Sequence, residues 1–222
     1  MHPRAVTIVY MGDSITEGQY VEPALRWTDI ISHRLDIEYL DTPINLLHLN
    51  RGISGETSRQ GVERFPAAVQ TNRPDLMTLQ FGLNDCNCWI TDGGLPRVSP
   101  AAFKANMIEM IERSRRFGSR EIILLTNHPT LRRKVLLSGE SLDDARKRYN
   151  VIVREIARKT GVVLCDIEKH FESLTDPELD AQLLPYPDHL HLSIPGHARY
   201  ADIIKPLIDE ALQRVIQGGC HG

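Results

Sequence analysis

The stretch "YMGDSITEGQY" (residues 10–20) follows directly on the apolar run Val6–Tyr10 and sets an acid and a hydroxyl between two glycines. A serine hydroxyl is a weak nucleophile until a base takes its proton, and the base must itself be oriented. Ser14 is the nucleophile candidate, because it leaves a strand pattern on the Gly12 turn and opens what reads as a helical turn. On position alone an N-cap or turn serine is the better reading, so its partners decide. Of nine histidines, two lie in "PDHLHLS" beside Asp188. An Asp three residues before a His can fold back in a turn and meet the imidazole Nδ1–H, which leaves Nε2 free to accept the serine proton. Asp188 and His191 have that spacing, whereas the adjacent His189 would point away in an extended segment. His191 is therefore assigned as base, Asp188 as its orienting acid and His189 as a flanking residue. Acyl transfer also needs donors where negative charge develops, each worth ~10²–10³ in rate. Gly52 in "NRGISG" can bring an unobstructed N–H close to a substrate, Asn84 in "FGLND" offers a side-chain amide, and the Ser14 N–H is a third.

Elements must hold these residues together. Short apolar runs at Val6–Met11, Asn45–Leu49, Leu76–Phe81, Glu121–Thr126 and Val162–Asp166 read as strands covered on both faces. Between them, helical patterns cover Ala24–Leu35, Arg59–Thr71, Ala101–Phe117, Leu142–Lys159 and about Pro195 to Ile216. Ser99–Pro100 and Ser141 with Asp143 and Asp144 are start signals, and Gly118 and Gly161 are stops. The alternation predicts an α/β fold, a three-layer α/β/α sandwich around a five-stranded parallel sheet. Ligands of such sheets collect beyond the carboxyl ends of the strands, and the polar residues named above all fall there. The longest irregular loop is 86–99, and the stretch from His170 to Pro187 has no clear pattern.

Composition bounds the rest. The chain has 222 residues, 41% hydrophobic and 25% charged, which fits one soluble domain. It is expected to span residues 1–217, with 218–222 a flexible tail. A net charge of −3 offers no footprint for nucleic acid. No window approaches the ~20 apolar residues of a membrane span, and the first residues do not read as a secretory signal. Cys86, Cys88, Cys165 and Cys220 suggest no disulfide framework and no zinc site, so free thiols and a cytoplasmic location are expected.

Taken together, Gly12–Asp13–Ser14, Gly52, Gly82-x-Asn84–Asp85 and Asp188-x-x-His191 resemble, in order, the blocks of the SGNH subgroup of the GDSL hydrolases. Ile15 stands where that family's motif has leucine. The resemblance implies a flavodoxin-like SGNH hydrolase fold. It implies a catalytic set of Ser14, Asp188 and His191, and an oxyanion hole of Ser14, Gly52 and Asn84, with Asp13 and Asp85 in support. No metal or other cofactor is needed, and the expected partner is a small-molecule acyl ester. The family spans carbohydrate acetyl esterases, lysophospholipases, thioesterases and arylesterases. Asn87, Trp89, Thr91 and Asp92 suit a sugar, and Asn127 and His128 beyond the fourth strand are further pocket candidates. The expectation is a short-chain, acetyl-type esterase acting on a carbohydrate. The alternatives are a lysophospholipase or thioesterase of the same family, a metal-dependent hydrolase using Asp13, Asp188, His189 and His191, and a silent carbohydrate-binding module.

Overall fold

The structure, a computed structural model, describes residues 4–218. Cys220 and the expected tail beyond Gly218 lie outside the described residues. Five strands, β1 (Arg4–Gly12), β2 (Ile44–Gly52), β3 (Leu76–Gln80), β4 (Glu121–Leu125) and β5 (Val163–Cys165), form one sheet in the order β2-β1-β3-β4-β5. Every pairing is parallel. The helices are α1 (Ser14–Glu17), α2 (Trp27–Glu38), α3 (Ser58–Ala68), α4 (Pro100–Arg116), α5 (Leu142–Thr160), α6 (Ile167–Phe171), α7 (Asp176–Gln182) and α8 (Ile194–Gln217). α2 packs on α8, while α3, α4 and α5 pack in sequence against one another. This is the expected three-layer sandwich.

The core follows from the apolar runs. Val6 and Ile8–Met11 of β1 are fully buried, as is β3, because both strands are covered on two faces. β2 differs from a continuous buried run: its exposure alternates over Ile44–His48, because it is an edge strand. It also runs on to Gly52, three residues past the expected end, in register with Gly12 of β1. α2 starts at Trp27 rather than at Ala24, since Pro23–Leu25 form a separate 3₁₀ turn. α3 closes at Ala68, two residues after Pro66, and Gln70–Asn72 form a 3₁₀ turn. The unpatterned stretch 170–187 carries the end of α6 and the whole of α7.

Caps stand where the sequence signals them. Ser99 Oγ accepts from Ala102 N, and Ser141 Oγ accepts from Asp144 N at 3.1 Å. Gly161 closes α5 at φ +69°. The strand order reverses between β1 and β3, so their carboxyl ends flank the crevice in which such sheets hold ligands.

Candidate active site

Ser14 is the first residue of α1, two residues past the end of β1. Gly12 makes this turn possible, since a Cβ there would run into the side chain of Thr16 and lie 2.8 Å from Gln80 O. Asp13 caps the short helix, its Oδ1 accepting from Ile15 N at 3.0 Å. Ile15 is buried and its carbonyl accepts the Trp27 indole N–H at 2.9 Å, so the turn is anchored from below. As the first residue of α1, Ser14 has a backbone N–H without a partner inside the helix.

The expected base, His191, lies in the loop before α8. Asp188 Oδ1 accepts from His191 N at 2.7 Å and from Leu190 N at 2.9 Å, which folds the chain back on itself. Asp188 Oδ2 then meets His191 Nδ1 at 2.9 Å, and His191 Nε2 lies 3.0 Å from Ser14 Oγ. Carboxylate, imidazole and hydroxyl thus form one continuous hydrogen-bonded chain. Burial pushes the Asp188 carboxyl up, but the hydrogen bonds from His191 and from the Leu190 amide outweigh it and hold the group below the usual carboxylate range. His189 takes no part in that chain. It sits at φ +49°, with its Nε2 3.3 Å from Asp180 on α7.

The expected donors separate into two groups. Asn84 Nδ2 donates to Glu56 O at 3.0 Å and lies 3.5 Å from Asp13 Oδ2, beside the Ser14 turn. Gly52 does not fit its expected role. Its N–H donates to Asn50 Oδ1 at 2.9 Å, and a Cβ on it would run into the backbone of Glu17, so this glycine is needed for close packing of β2 against α1. Gly55, three residues on, is different. It holds φ +77° with open space around it, and its N–H has no acceptor among the described residues. Its turn is fixed from three sides: Glu17 Oε2 accepts from Ser54 N at 2.6 Å, Asn84 holds Glu56 O, and Arg97 Nη1 donates to Gly55 O at 3.0 Å.

Behind this rim lie two buried carboxylates. Burial pushes the Asp13 carboxyl up to about 7, with Asp85 adding repulsion, against the pull of the Ile15 amide. Burial likewise raises Asp85 to about 6, although it accepts from Ser58 N at 2.9 Å and from Ser58 Oγ at 2.5 Å. Asp85 thereby ties the loop after β3 to the first residue of α3.

Asn127 and His128 are not pocket residues. Both are fully buried. Asn127 Nδ2 donates to Phe81 O at 3.0 Å, joining the ends of β3 and β4. His128 Nε2 donates to Leu190 O at 2.8 Å, and its Nδ1 therefore accepts from the Tyr200 hydroxyl. Burial lowers this imidazole to about 3, so it stays neutral and braces the Asp188–His191 loop from behind. Trp89 does reach the surface, 53% exposed, with the Arg97 guanidinium 4.0 Å above its ring. Asn87 and Asp92, expected to meet a sugar, are engaged within the protein: Asn87 Oδ1 accepts from Lys134 Nζ at 2.7 Å and Asp92 Oδ2 from Trp89 N at 2.7 Å. Two site residues had no sequence signal. Tyr20 stands edge-on to the His191 ring at 5.3 Å, and Arg132 Nη2 donates to Asp188 Oδ2 at 2.8 Å.

A cleft beside Asp188 and another along the loop after Asn84 open on the surface. One, of about 380 Å³, is lined by Tyr20, Arg132, Leu184, Pro185, Pro187 and Asp188. The other, of about 630 Å³, runs between loops 88–91 and 134–137 and is lined by Trp89, Ile90, Val135 and Leu137 among others. No group of three or more His, Cys, Asp or Glu side chains converges as a metal site would require, among the described residues. No helix among them is long and apolar enough to cross a membrane.

Residues 10–199 match the model of the GDSL-like lipase/acylhydrolase family. The chain belongs to that family. The acylhydrolase is 31% identical over 187 residues to the lipoprotein YqeF of Bacillus subtilis, covering 74% of this chain and 71% of that one. It is 24% identical over 207 residues to an acetylxylan esterase of Geobacillus stearothermophilus, covering 86% and 88% of the two chains. Among solved structures it matches a lipase/acylhydrolase from Enterococcus faecalis with a TM-score of 0.74 and 25% identity, covering 91% of this chain and 95% of that one. The GDSL-like acylhydrolase is thus an enzyme of carboxylic ester bonds with the five-stranded parallel sheet of its relatives.

Proposed function

We propose that this acylhydrolase is a serine esterase that works through an acyl-enzyme on Ser14. The observation that carries the proposal is the unbroken chain from Asp188 Oδ2 through His191 to Ser14 Oγ, with links of 2.9 and 3.0 Å. Ser14 Oγ attacks the ester carbonyl carbon while its proton passes to His191 Nε2. The tetrahedral intermediate collapses, the carbon–oxygen bond of the ester breaks, and His191 returns the proton to the leaving alcohol. A water then repeats the sequence: His191 takes its proton, its oxygen attacks the acyl carbon, and the carboxylic acid leaves as Ser14 regains its hydrogen.

The oxyanion is held by Ser14 N, Asn84 Nδ2 and Gly55 N. Gly55 replaces Gly52 in this role, because a donor already committed to Asn50 has no hydrogen left for the substrate. Asn84 Nδ2 gives one N–H to Glu56 O at 3.0 Å and meets Asp13 Oδ2 only at 3.5 Å, a long contact that an oxyanion can displace.

The substrate we favour is a short acyl, acetyl-type ester on a carbohydrate. Support comes from the exposed Trp89 face, a stacking surface for a sugar ring, and from likeness to the acetylxylan esterase. A longer acyl chain is the second reading. It is favoured by the apolar cleft along Trp89, Ile90, Val135 and Leu137 and by 29% identity to the TesA esterase of Pseudomonas aeruginosa over 120 residues, 54% of each chain. A cytoplasmic location fits the three described cysteines, all free, although the B. subtilis relative is named a lipoprotein.

Hydrolysis of p-nitrophenyl acetate, butyrate and octanoate distinguishes the two substrates. The first predicts the highest kcat/KM on acetate together with release of acetate from acetylated sugars, and the second predicts octanoate in first place. A fluorophosphonate should label the wild-type protein and not Ser14→Ala. Labelling that persisted in the variant would end the assignment.

A further inference from the structure

Arg132 holds the acid of this chain in a way that fastening a loop does not require. The segment 184–191 is already pinned: His189 O accepts from Leu131 N at 3.0 Å, from Arg132 N at 3.1 Å and from the Thr130 hydroxyl at 2.6 Å. The guanidinium adds Nε to Asp188 O at 2.6 Å and Nη2 to Asp188 Oδ2 at 2.8 Å. That last oxygen is the one that orients His191 Nδ1. With Oδ1 accepting from two backbone amides, all of the carboxylate's roughly four acceptor positions are filled. The Arg132, Asp188 and His191 side chains are 32%, 20% and 13% exposed, so water screens their charges only in part.

We propose that Arg132 is a positioning residue that makes the catalytic triad a four-membered relay. It fixes the rotation of Asp188 and offsets its charge, so that the carboxylate holds the His191 ring in line with Ser14 Oγ without bringing its full negative charge to bear on the imidazole. The proposal rests on the reading of His191 as the base.

Other groups face His191 from every packed element. Ser14 lies on the α1 side and Tyr20 on the turn after it, while the neighbouring His189 is turned to Asp180 on α7. From the sheet side come His128 and, at the start of α8, His197, both buried, with Arg26 acting on His197. Burial holds these two imidazoles low, at about 3 and about 4, so they are neutral across the working range. Arg132 is the cationic side chain that touches Asp188 among the described residues. Removing a cation beside an Asp–His pair leaves the carboxylate's charge to act on the imidazole alone, which raises the histidine's pKa.

The experiment is an NMR titration of the His191 ring in the full-length protein from pH 4 to 9, its signal assigned by its loss in His191→Asn. Arg132→Gln is expected to raise the midpoint by about half a unit to one unit. Arg132→Lys, which keeps the charge and loses the fork, is expected to stay near wild type. Arg132→Met keeps the aliphatic stem and reads the same midpoint should the glutamine variant not fold. The acid limb of kcat/KM on p-nitrophenyl acetate should move with the midpoint. An unmoved midpoint in the neutral variants, or a lysine variant that shifts as far as the glutamine one, would overturn the proposal. The midpoint is read whether or not the protein turns over ester, so an inactive wild type would count against the esterase reading and leave the test of Arg132 intact.

Discussion

The two walls of the crevice are built differently. On the β1–α8 wall, Ser14, His191, Asp188 and Arg132 are joined by consecutive hydrogen bonds and braced from behind by His128. On the other, the loop after Asn84 spends its polar groups on itself and on Lys134, and turns outward Trp89 and Ile90, the latter 88% exposed. The first wall is set before any substrate arrives, because each of its side chains is anchored to the end of a strand or to a capped turn. The second offers surface rather than fixed partners. On the proposed reading chemistry belongs to the frame and selectivity to the loop, so the two should fail independently.

The sharpest break lies in the first wall. Ser14→Ala should lower kcat by about 10⁴-fold or more, with the fold retained by circular dichroism, because the attacking oxygen is gone. Asn84→Ala should cost about 10²–10³ in kcat, the usual effect of losing one oxyanion donor. Some of that loss comes through Glu56 O, which Asn84 also holds. Kinetics that showed only a KM change for Asn84→Ala would remove it from the oxyanion hole.

How far these walls are legible in the sequence depends on where the partners lie. Ser14, Asp188 and His191 could be assigned because their spacing is local or their role demands a particular atom type. The five strands were legible as apolar runs, but the reach of β2 was not, since Asn50, Arg51 and Gly52 are polar or small and are held by pairing with β1. The choice between two glycines in "NRGISGETS" shows the limit. Gly52 is a glycine because α1 packs against it, Gly55 because its backbone turns left-handed, and a sequence records only the residue type. Asn127 and His128 stand at a strand end, where pocket residues are expected. They instead serve partners far along the chain, Phe81, Leu190 and Tyr200. Arg132, in a basic run, looks like surface charge until Asp188 is brought to it.

A smaller effect tests how the frame carries its buried charge. Asp85 is fully buried and raised to about 6, so its ionised form is disfavoured in the folded state. A raised carboxyl contributes stability below its unfolded value near 4 and loses it as pH climbs through the folded value. Asn at this position can still accept from Ser58. Asp85→Asn should therefore gain on wild type as pH rises from about 4 to 6, by about 3 kcal/mol at most, and hold that gain at pH 8. Urea midpoints at pH 4, 6 and 8 measure it. A stability difference that is flat with pH would mean that Asp85 ionises as freely in the fold as in water.

The mildest substitution addresses the second wall. Trp89 stacks under Arg97, and Arg97 in turn holds Gly55 O, so the ring touches the chemistry through one intermediary. Trp89→Ala should raise KM for an acetylated oligosaccharide about three- to tenfold, the worth of one stacking contact of roughly 0.5–1.5 kcal/mol. Values for p-nitrophenyl acetate, too small to reach the loop, should stay within about twofold of wild type, since a contact shared by ground and transition states acts on binding alone. If both substrates lost kcat equally, Trp89 would belong to the frame, with Arg97 and Gly55 displaced by its loss, and the division between a fixed wall and a selective one would have to be redrawn at Arg97.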